Sequence, residues 1–156
     1  MDQTIKGKRL AEFSFLVDCS KIKEMAEALA DPNPIYRQTT AAQEAGYPEV
    51  IAPPTFGTSV NLCGGPGFQE LCADLGADSL RVLHAEQEYE YFHLIHPGDL
   101  LHVTIDVAEL FSKEGRTGLM QFALLETNMT NQRGEKVLVG RSTILETPLS
   151  EKPEKL

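Results

Sequence analysis

The sequence predicts an α+β domain in which an antiparallel sheet packs against helices on one face. Three observations predict it. Helical periodicity occupies the first half of the chain, strand-like segments fill the second half from about residue 80, and short polar loops bearing glycine divide those segments.

Each element has a local cause. Phe13-Ser14-Phe15-Leu16-Val17 is a short apolar run that fits a first strand, after which Asp18 or Ser20 offers a helix N-cap. Ile22, Met25, Ala26 and Leu29 fall at i, i+3, i+4 and i+7, one apolar stripe on a helix of about residues 20–30. Pro32 and Pro34 prevent its continuation, so the helix delivers Asp31 to a rigid turn. Thr40-Ala41-Ala42-Gln43 reads as a capping box on a short helix that stops at Gly46.

Pro53-Pro54 before Thr55 marks another helix start, with proline favoured in the first turn. Phe56, Val60 and Leu62-Cys63 carry that helix to Gly64-Gly65-Pro66, and Phe68, Leu71, Cys72 and Leu75 repeat the helical spacing before Gly76. Strands are expected at about 80–94, 99–112, 117–130 and 135–147. Pro97-Gly98-Asp99, Lys113-Glu114-Gly115-Arg116 and Asn131-Gln132-Arg133-Gly134 read as hairpin loops between them. The charged segment from Ser150 is expected to fray, which gives one domain over 1–149 and a tail over 150–156.

Composition narrows the function classes. A length of 156 residues with 42% hydrophobic content suits one domain with a real core. The net charge of -9, with Lys and Arg scattered, argues against a nucleic-acid surface. No run approaches the roughly 20 apolar residues of a membrane span, and the N-terminus lacks the apolar stretch of a signal peptide. A soluble, cytoplasmic protein is expected. Cys19, Cys63 and Cys72 show no paired spacing and read as reduced thiols, neither a disulfide framework nor a zinc site. His84, His93, His96 and His102 share no helix face and lack neighbouring Cys or carboxylate ligands, so surface or interface positions are expected for them, with no metal and no cofactor.

Two segments carry more. Asp31-Pro32-Asn33-Pro34-Ile35-Tyr36 resembles the Asp-x-Asn-Pro-x-His signature of MaoC-like (R)-specific enoyl-thioester hydratases, and Ala52-Pro53-Pro54-Thr55-Phe56-Gly57 sits where that family begins its central helix. Asn33-Pro34-Ile35-Tyr36, Gly46-Tyr47, Ala52-Pro53-Pro54-Thr55-Phe56 and His96-Pro97-Gly98-Asp99 are similar to the N-terminal dehydratase domain of the same superfamily. The resemblance spans about residues 8–147 and implies a single hot-dog domain, an antiparallel sheet wrapped around a central helix.

The resemblance also implies a chemistry. Hydrating a 2-enoyl thioester requires water activation at C3, protonation at C2 and stabilisation of the enolate oxygen. The family uses Asp and His for the first two and a backbone amide at the central helix start for the third. Asp31 matches the catalytic carboxylate, while Asn33, Tyr36, Pro53, Thr55 and Gly57 fall in the substrate pocket. Tyr36 stands in the histidine slot, and with an ordinary pKa of roughly 10 it is a hydrogen-bond donor near neutrality rather than a base. An ungapped alignment sets Ala52-Pro53 on the His-Gly pair whose glycine amide binds the thioester oxygen, and proline has no N–H. Losing one such donor costs ~3 kcal/mol, or 10²- to 10³-fold in rate, and losing a base a further ~10²- to 10⁴-fold. A register shift would let the Thr55 amide serve instead, assisted by the helix dipole.

Plainer readings stand beside these. Asp31 before Pro32 is also a common turn former, Tyr36 fits a core aromatic with a bonded hydroxyl, and the two prolines also stiffen a helix start. Glu86, Glu88 and Glu90 alternate with Gln87, Tyr89 and Tyr91, which reads as a solvated acidic face opposite a packed one.

Family members of this size pair so that their sheets run on, and in some bacterial systems such a chain accommodates the acyl chain while a partner with intact Asp and His performs the chemistry. The resemblance therefore implies a subunit of an (R)-specific 3-hydroxyacyl-thioester dehydratase or enoyl-thioester hydratase, weakly active or inactive alone. Its substrate would be an acyl-CoA or acyl-carrier-protein thioester. A coenzyme A tail needs only two or three local cations, which the net charge permits. The chain would form a homodimer or a heterodimer with a MaoC-like catalytic subunit. A self-sufficient homodimeric hydratase using Asp31 and a non-catalytic acyl-thioester binding module are the alternatives.

Overall fold

The computed structural model describes residues 1–116 and 118–149, so the tail expected from Ser150 lies outside the described residues. The elements run β1 (Arg9–Leu16), α1 (Cys19–Ala28), α2 (Thr39–Glu44), α3 (Phe56–Gly64), α4 (Phe68–Asp74), β2 (Val82–Tyr91), β3 (Leu100–Gly115), β4 (Gly118–Thr130) and β5 (Lys136–Glu146). Short 3-10 turns cover Gln3–Ile5 and Pro34–Tyr36.

The strands form one five-stranded sheet in the order β1-β3-β4-β5-β2, with every neighbouring pair antiparallel. Period-two alternation explains its sidedness: Leu101, Val103, Ile105 and Val107 of β3 and Ala123, Leu125 and Met129 of β4 are buried. Together they line the face that the helices cover. A β-bulge between Val107 and Glu109 interrupts the β3–β4 register.

The central helix is α3. Phe56 and Val60 are fully buried, and the Phe56 ring meets Phe15 of β1 edge-on at 6.5 Å. Close approach is possible because Gly64 lacks a side chain: a Cβ there would lie 2.7 Å from the Phe13 ring. In α1, Asp18 caps the helix by accepting the Ser20 amide at 2.7 Å, and Ile22 and Ala26 are buried. Leu29 of the predicted stripe is instead 46% exposed, because α1 ends at Ala28 and the chain has already turned away. An antiparallel sheet wrapped on a central helix is the hot-dog architecture.

Three local expectations need correction. No capping box forms at Thr40 and Gln43; α2 begins at Thr39 with Gln38 at the N-cap and no side-chain capping bond. Pro53 and Pro54 precede the α3 N-cap, Thr55, rather than lying inside the first turn. Pro97-Gly98-Asp99 is not a hairpin, because β2 pairs with β5 and the segment after it crosses the sheet to begin β3. That crossing is anchored to the end of β1: the Gly98 amide donates to the Val17 carbonyl at 2.8 Å, and the Val17 amide donates to the Asp99 carbonyl at 2.8 Å. The Asp99 carboxylate is buried and accepts the His96 amide at 2.9 Å. No helix among the described residues is long and apolar enough to cross a membrane.

Candidate functional site

The end of α1 sets the Asp31 segment. Ala30 adopts a left-handed conformation with φ 51°, and the Asp31 amide reaches back to the Ala26 carbonyl at 3.0 Å. The Asp31 carboxylate accepts the Asn33 amide at 2.9 Å, and the Asn33 side chain accepts the Ile35 amide at 3.2 Å, capping the Pro34–Tyr36 turn. Both side chains are thus occupied in successive Asx turns. Arg37 braces the loop by donating to the Asp31 carbonyl.

Tyr36 is buried in the main core against partly buried Ile35 and Tyr47. Burial, followed by the nearby Asp31 carboxylate and Tyr47, pushes its phenol above the ordinary value. The direction matters: near neutrality the group is a neutral donor. Asp31 and Tyr36 are therefore brought near each other, while Asn33 is solvent-exposed.

The start of α3 is closed by the chain itself. The Phe56 amide donates to the Pro53 carbonyl at 2.9 Å and the Thr58 amide to the Thr55 carbonyl at 3.0 Å. Tyr91 of β2 lays its hydroxyl over the same terminus, donating to the Pro54 carbonyl at 2.8 Å. Burial pushes the Tyr91 phenol far up, Tyr89 adds to that, and a hydrogen bond from the Gly57 amide opposes it. A helix N-terminus is ordinarily an anion site; here the Tyr91 hydroxyl lies over it. Pro53 is buried, and Pro54 and Thr55 are exposed.

Gly57 owes its identity to packing. A Cβ there would sit 2.8 Å from the Tyr89 ring, and a Cβ at Gly140 would sit 3.2 Å from it. The Tyr89 ring thus packs closely on both glycines, and Leu138 at 3.3 Å also crowds position 57. Gly57→Ala is expected to cost about 1–3 kcal/mol by overpacking, a fall of roughly 2–10 °C in Tm by thermal melting. Gly140→Ala, with the longer contact, should cost less.

A cavity of about 410 Å³ lies between α3, α4 and the sheet. Leu71, Leu75, Ile105, Leu125 and Ile144 supply apolar walls, and Leu62 and Phe68 form a rim at 79% and 52% exposure. Several of its polar groups are bonded in pairs along one side. Thr58 and Tyr89 share a hydrogen bond at 2.6 Å, His84 meets Gln87 at 3.3 Å, and Ser142 donates to Gln87. No carboxylate lines the cavity among the described residues, and neither Asp31, Asn33, Tyr36, Pro53, Thr55 nor Gly57 does so directly. Gly57 touches it through the Tyr89 ring.

Sequence reasoning missed this cavity; His84 is exposed, as expected, and also lines it. The signals were present: Gln87, Tyr89 and Tyr91 alternate on the face opposite the glutamates, and Thr58 and Asn61 stand three apart on the central helix. His93 and His102 are exposed as expected, and His96 is half-buried.

Comparison with known proteins agrees with the geometry. Residues 4–139 match the family model described as FAS1-like, dehydratase domain region. A UPF0336 protein of Saccharopolyspora erythraea is 33% identical over 155 residues, covering 99% of this chain and 96% of the relative. Among solved structures, the HadBC (3R-hydroxyacyl-ACP dehydratase) complex from Mycobacterium tuberculosis superposes with a TM-score of 0.72 at 21% identity, covering 93% of this chain and 98% of that one. A MaoC-like dehydratase superposes with a TM-score of 0.77 at 22% identity, covering 94% of this chain and 43% of that one. With most of its length inside one family model, the chain belongs to the FAS1-like dehydratase-region family, and it shares its hot-dog fold with these structures.

Proposed function

We propose that this chain is the substrate-holding subunit of an (R)-specific 3-hydroxyacyl-thioester dehydratase or enoyl-thioester hydratase, weakly active or inactive alone. It works in the cytoplasm on an acyl-CoA or acyl-carrier-protein thioester. The observation that carries the reading is a cavity of about 410 Å³ with apolar walls and no lining carboxylate among the described residues. Its size falls within the roughly 300–1,000 Å³ of small-molecule sites, and each methylene buried there contributes about 0.8 kcal/mol. Holding an acyl chain needs only such walls; removing water from it needs an acid and a base.

The reaction's other requirements point to a second chain. Asp31 is tied into an Asx turn, Tyr36 is a neutral phenol, and the Tyr91 hydroxyl lies over the start of α3, bonded to the Pro54 carbonyl. A partner carrying intact Asp and His would supply proton transfer and the oxyanion amide, in a heterodimer. That HadBC is itself a complex supports a two-chain assembly.

The test is crotonyl-CoA hydration by the purified chain and by the chain co-expressed with an intact MaoC-like partner. Turnover is expected only in the co-expressed complex, and Asp31→Asn in this chain should leave that rate within a few-fold. Robust turnover by the chain alone, lost ~10²- to 10⁴-fold in Asp31→Asn, would establish the self-sufficient homodimer instead. Ligand binding with no turnover in a folded complex would leave a binding module.

A further inference from the structure

One polar atom in the cavity is left without a partner. Asn61 lines the cavity from the middle of α3, and its Oδ1 is buried with no hydrogen-bond partner among the described residues. Its Nδ2 lies 3.5 Å from the hydroxyl oxygen of Thr127, a buried β4 residue that lines the same cavity. That contact is at the outer limit of a hydrogen bond. Turning the amide over exchanges its ends but still leaves one of them unpaired.

Buried polar groups are almost always satisfied, so the position calls for a partner. The nearby walls make it conspicuous: Leu71, Leu75, Ile105 and Leu125 offer neither donor nor acceptor from their side chains. Isosteric leucine at position 61 would extend the apolar surface at no polar cost. An asparagine there disfavours a purely alkyl ligand unless something pairs with it.

We infer that the cavity selects an acyl chain bearing a hydroxyl along its alkyl body, recognised by Asn61 with Thr127 beside it. The inference rests on the proposed acyl-holding role. A hydroxyl both donates and accepts, so it satisfies the Asn61 amide in either rotation. A site built to pair with a hydroxyl discriminates against the ligand lacking it, because its own polar group is then left buried and unpaired. The recognised hydroxyl is distinct from the one at C3 that the reaction removes.

The test measures binding of dodecanoyl-CoA and its monohydroxylated analogues, the hydroxyl being walked along the chain beyond C3, to the wild-type protein in its assembled form. One hydroxyl position is expected to bind about 10-fold or more tightly than the plain chain. Asn61→Leu should erase that preference while binding the plain chain at least as well as wild type, and Thr127→Val should weaken the preference. Plain-chain binding with every hydroxylated analogue weaker on the wild type would overturn the inference, implying that water satisfies Asn61, and would leave the acyl-holding role standing. Failure of all the thioesters to bind would overturn that role and the inference with it. A preference that survives in Asn61→Leu would overturn the assignment of the recognition to Asn61. The wild-type series decides the matter even if a variant folds poorly.

Discussion

Replacing Phe56 by alanine is expected to lower stability by about 3–5 kcal/mol, the usual cost of deleting a fully buried phenylalanine. Phe56 is the largest completely buried side chain described, it opens the central helix, and its ring is the edge partner of Phe15 on β1. Transfer of the ring to water and an unfilled cavity both count against the variant. For a chain of this size the loss corresponds to a fall on the order of 10 °C in Tm. Thermal melting and urea titration of both proteins check it. An unchanged midpoint would mean that the α3–β1 contact does not hold the helix to the sheet.

The second large effect lies at the opposite end of the sheet. Glu146 on β5 is buried, and its carboxylate accepts the Arg81 guanidinium at 2.6 Å, the Asp78 amide at 2.9 Å and the Met1 ammonium at 3.0 Å. Glu146→Ala removes the shared acceptor and leaves those donors to find water, a loss of about 3–5 kcal/mol typical of breaking a buried pair from one side. Burial alone would raise the carboxyl, but the Asp78 amide, the ammonium and Arg81 together bring it below its ordinary value of 4.5.

The sign of the pH dependence follows. A group whose folded pKa is depressed contributes stability above its unfolded pKa and loses it as pH falls through the folded one. The stability gap between wild type and Glu146→Ala should therefore be full near neutrality and shrink below about pH 4. Urea titrations at a series of pH values measure it. A gap that stays constant into acid would remove the ionised carboxylate from the explanation.

The sequence was most legible where neighbours in the chain decide the outcome. Asp18 caps α1 as its position suggests, and β3, β4 and β5 follow one another as adjacent antiparallel strands. Legibility failed where distant residues decide. No local signal in residues 80–94 says that β2 joins β5 rather than β3, because that pairing depends on how the crossing after β2 docks beneath β1. The cavity is harder still, since its walls come from α3, α4 and the strands β2 to β5, with β3 supplying Ile105 alone.

The Asp31 motif was legible as a motif, and its chemistry was not. Sequence alone left Asp31 open between turn former and catalytic carboxylate; its bond to the Asn33 amide is the turn former's bond. At the helix start, sequence pointed to the missing amide of Pro53 and left the neighbouring amides free. What sequence did not show is that Tyr91, more than thirty residues away in the chain, places its hydroxyl on the Pro54 carbonyl at that helix start.

The outer strand β2 has one further consequence. It ends the sheet opposite β1, and Glu86, Glu88 and Glu90 stand exposed along one of its faces, with Arg141 reaching Glu88 and Glu90 at 3.2 and 3.6 Å. An unpaired strand edge is an open template for any other extended chain. If two copies met edge to edge with their helix-covered faces continuous, the glutamate rows would lie directly opposite each other, an arrangement that like charges oppose. At such a border the charge of Arg141, already beside Glu88 and Glu90, would decide how much of that repulsion is felt.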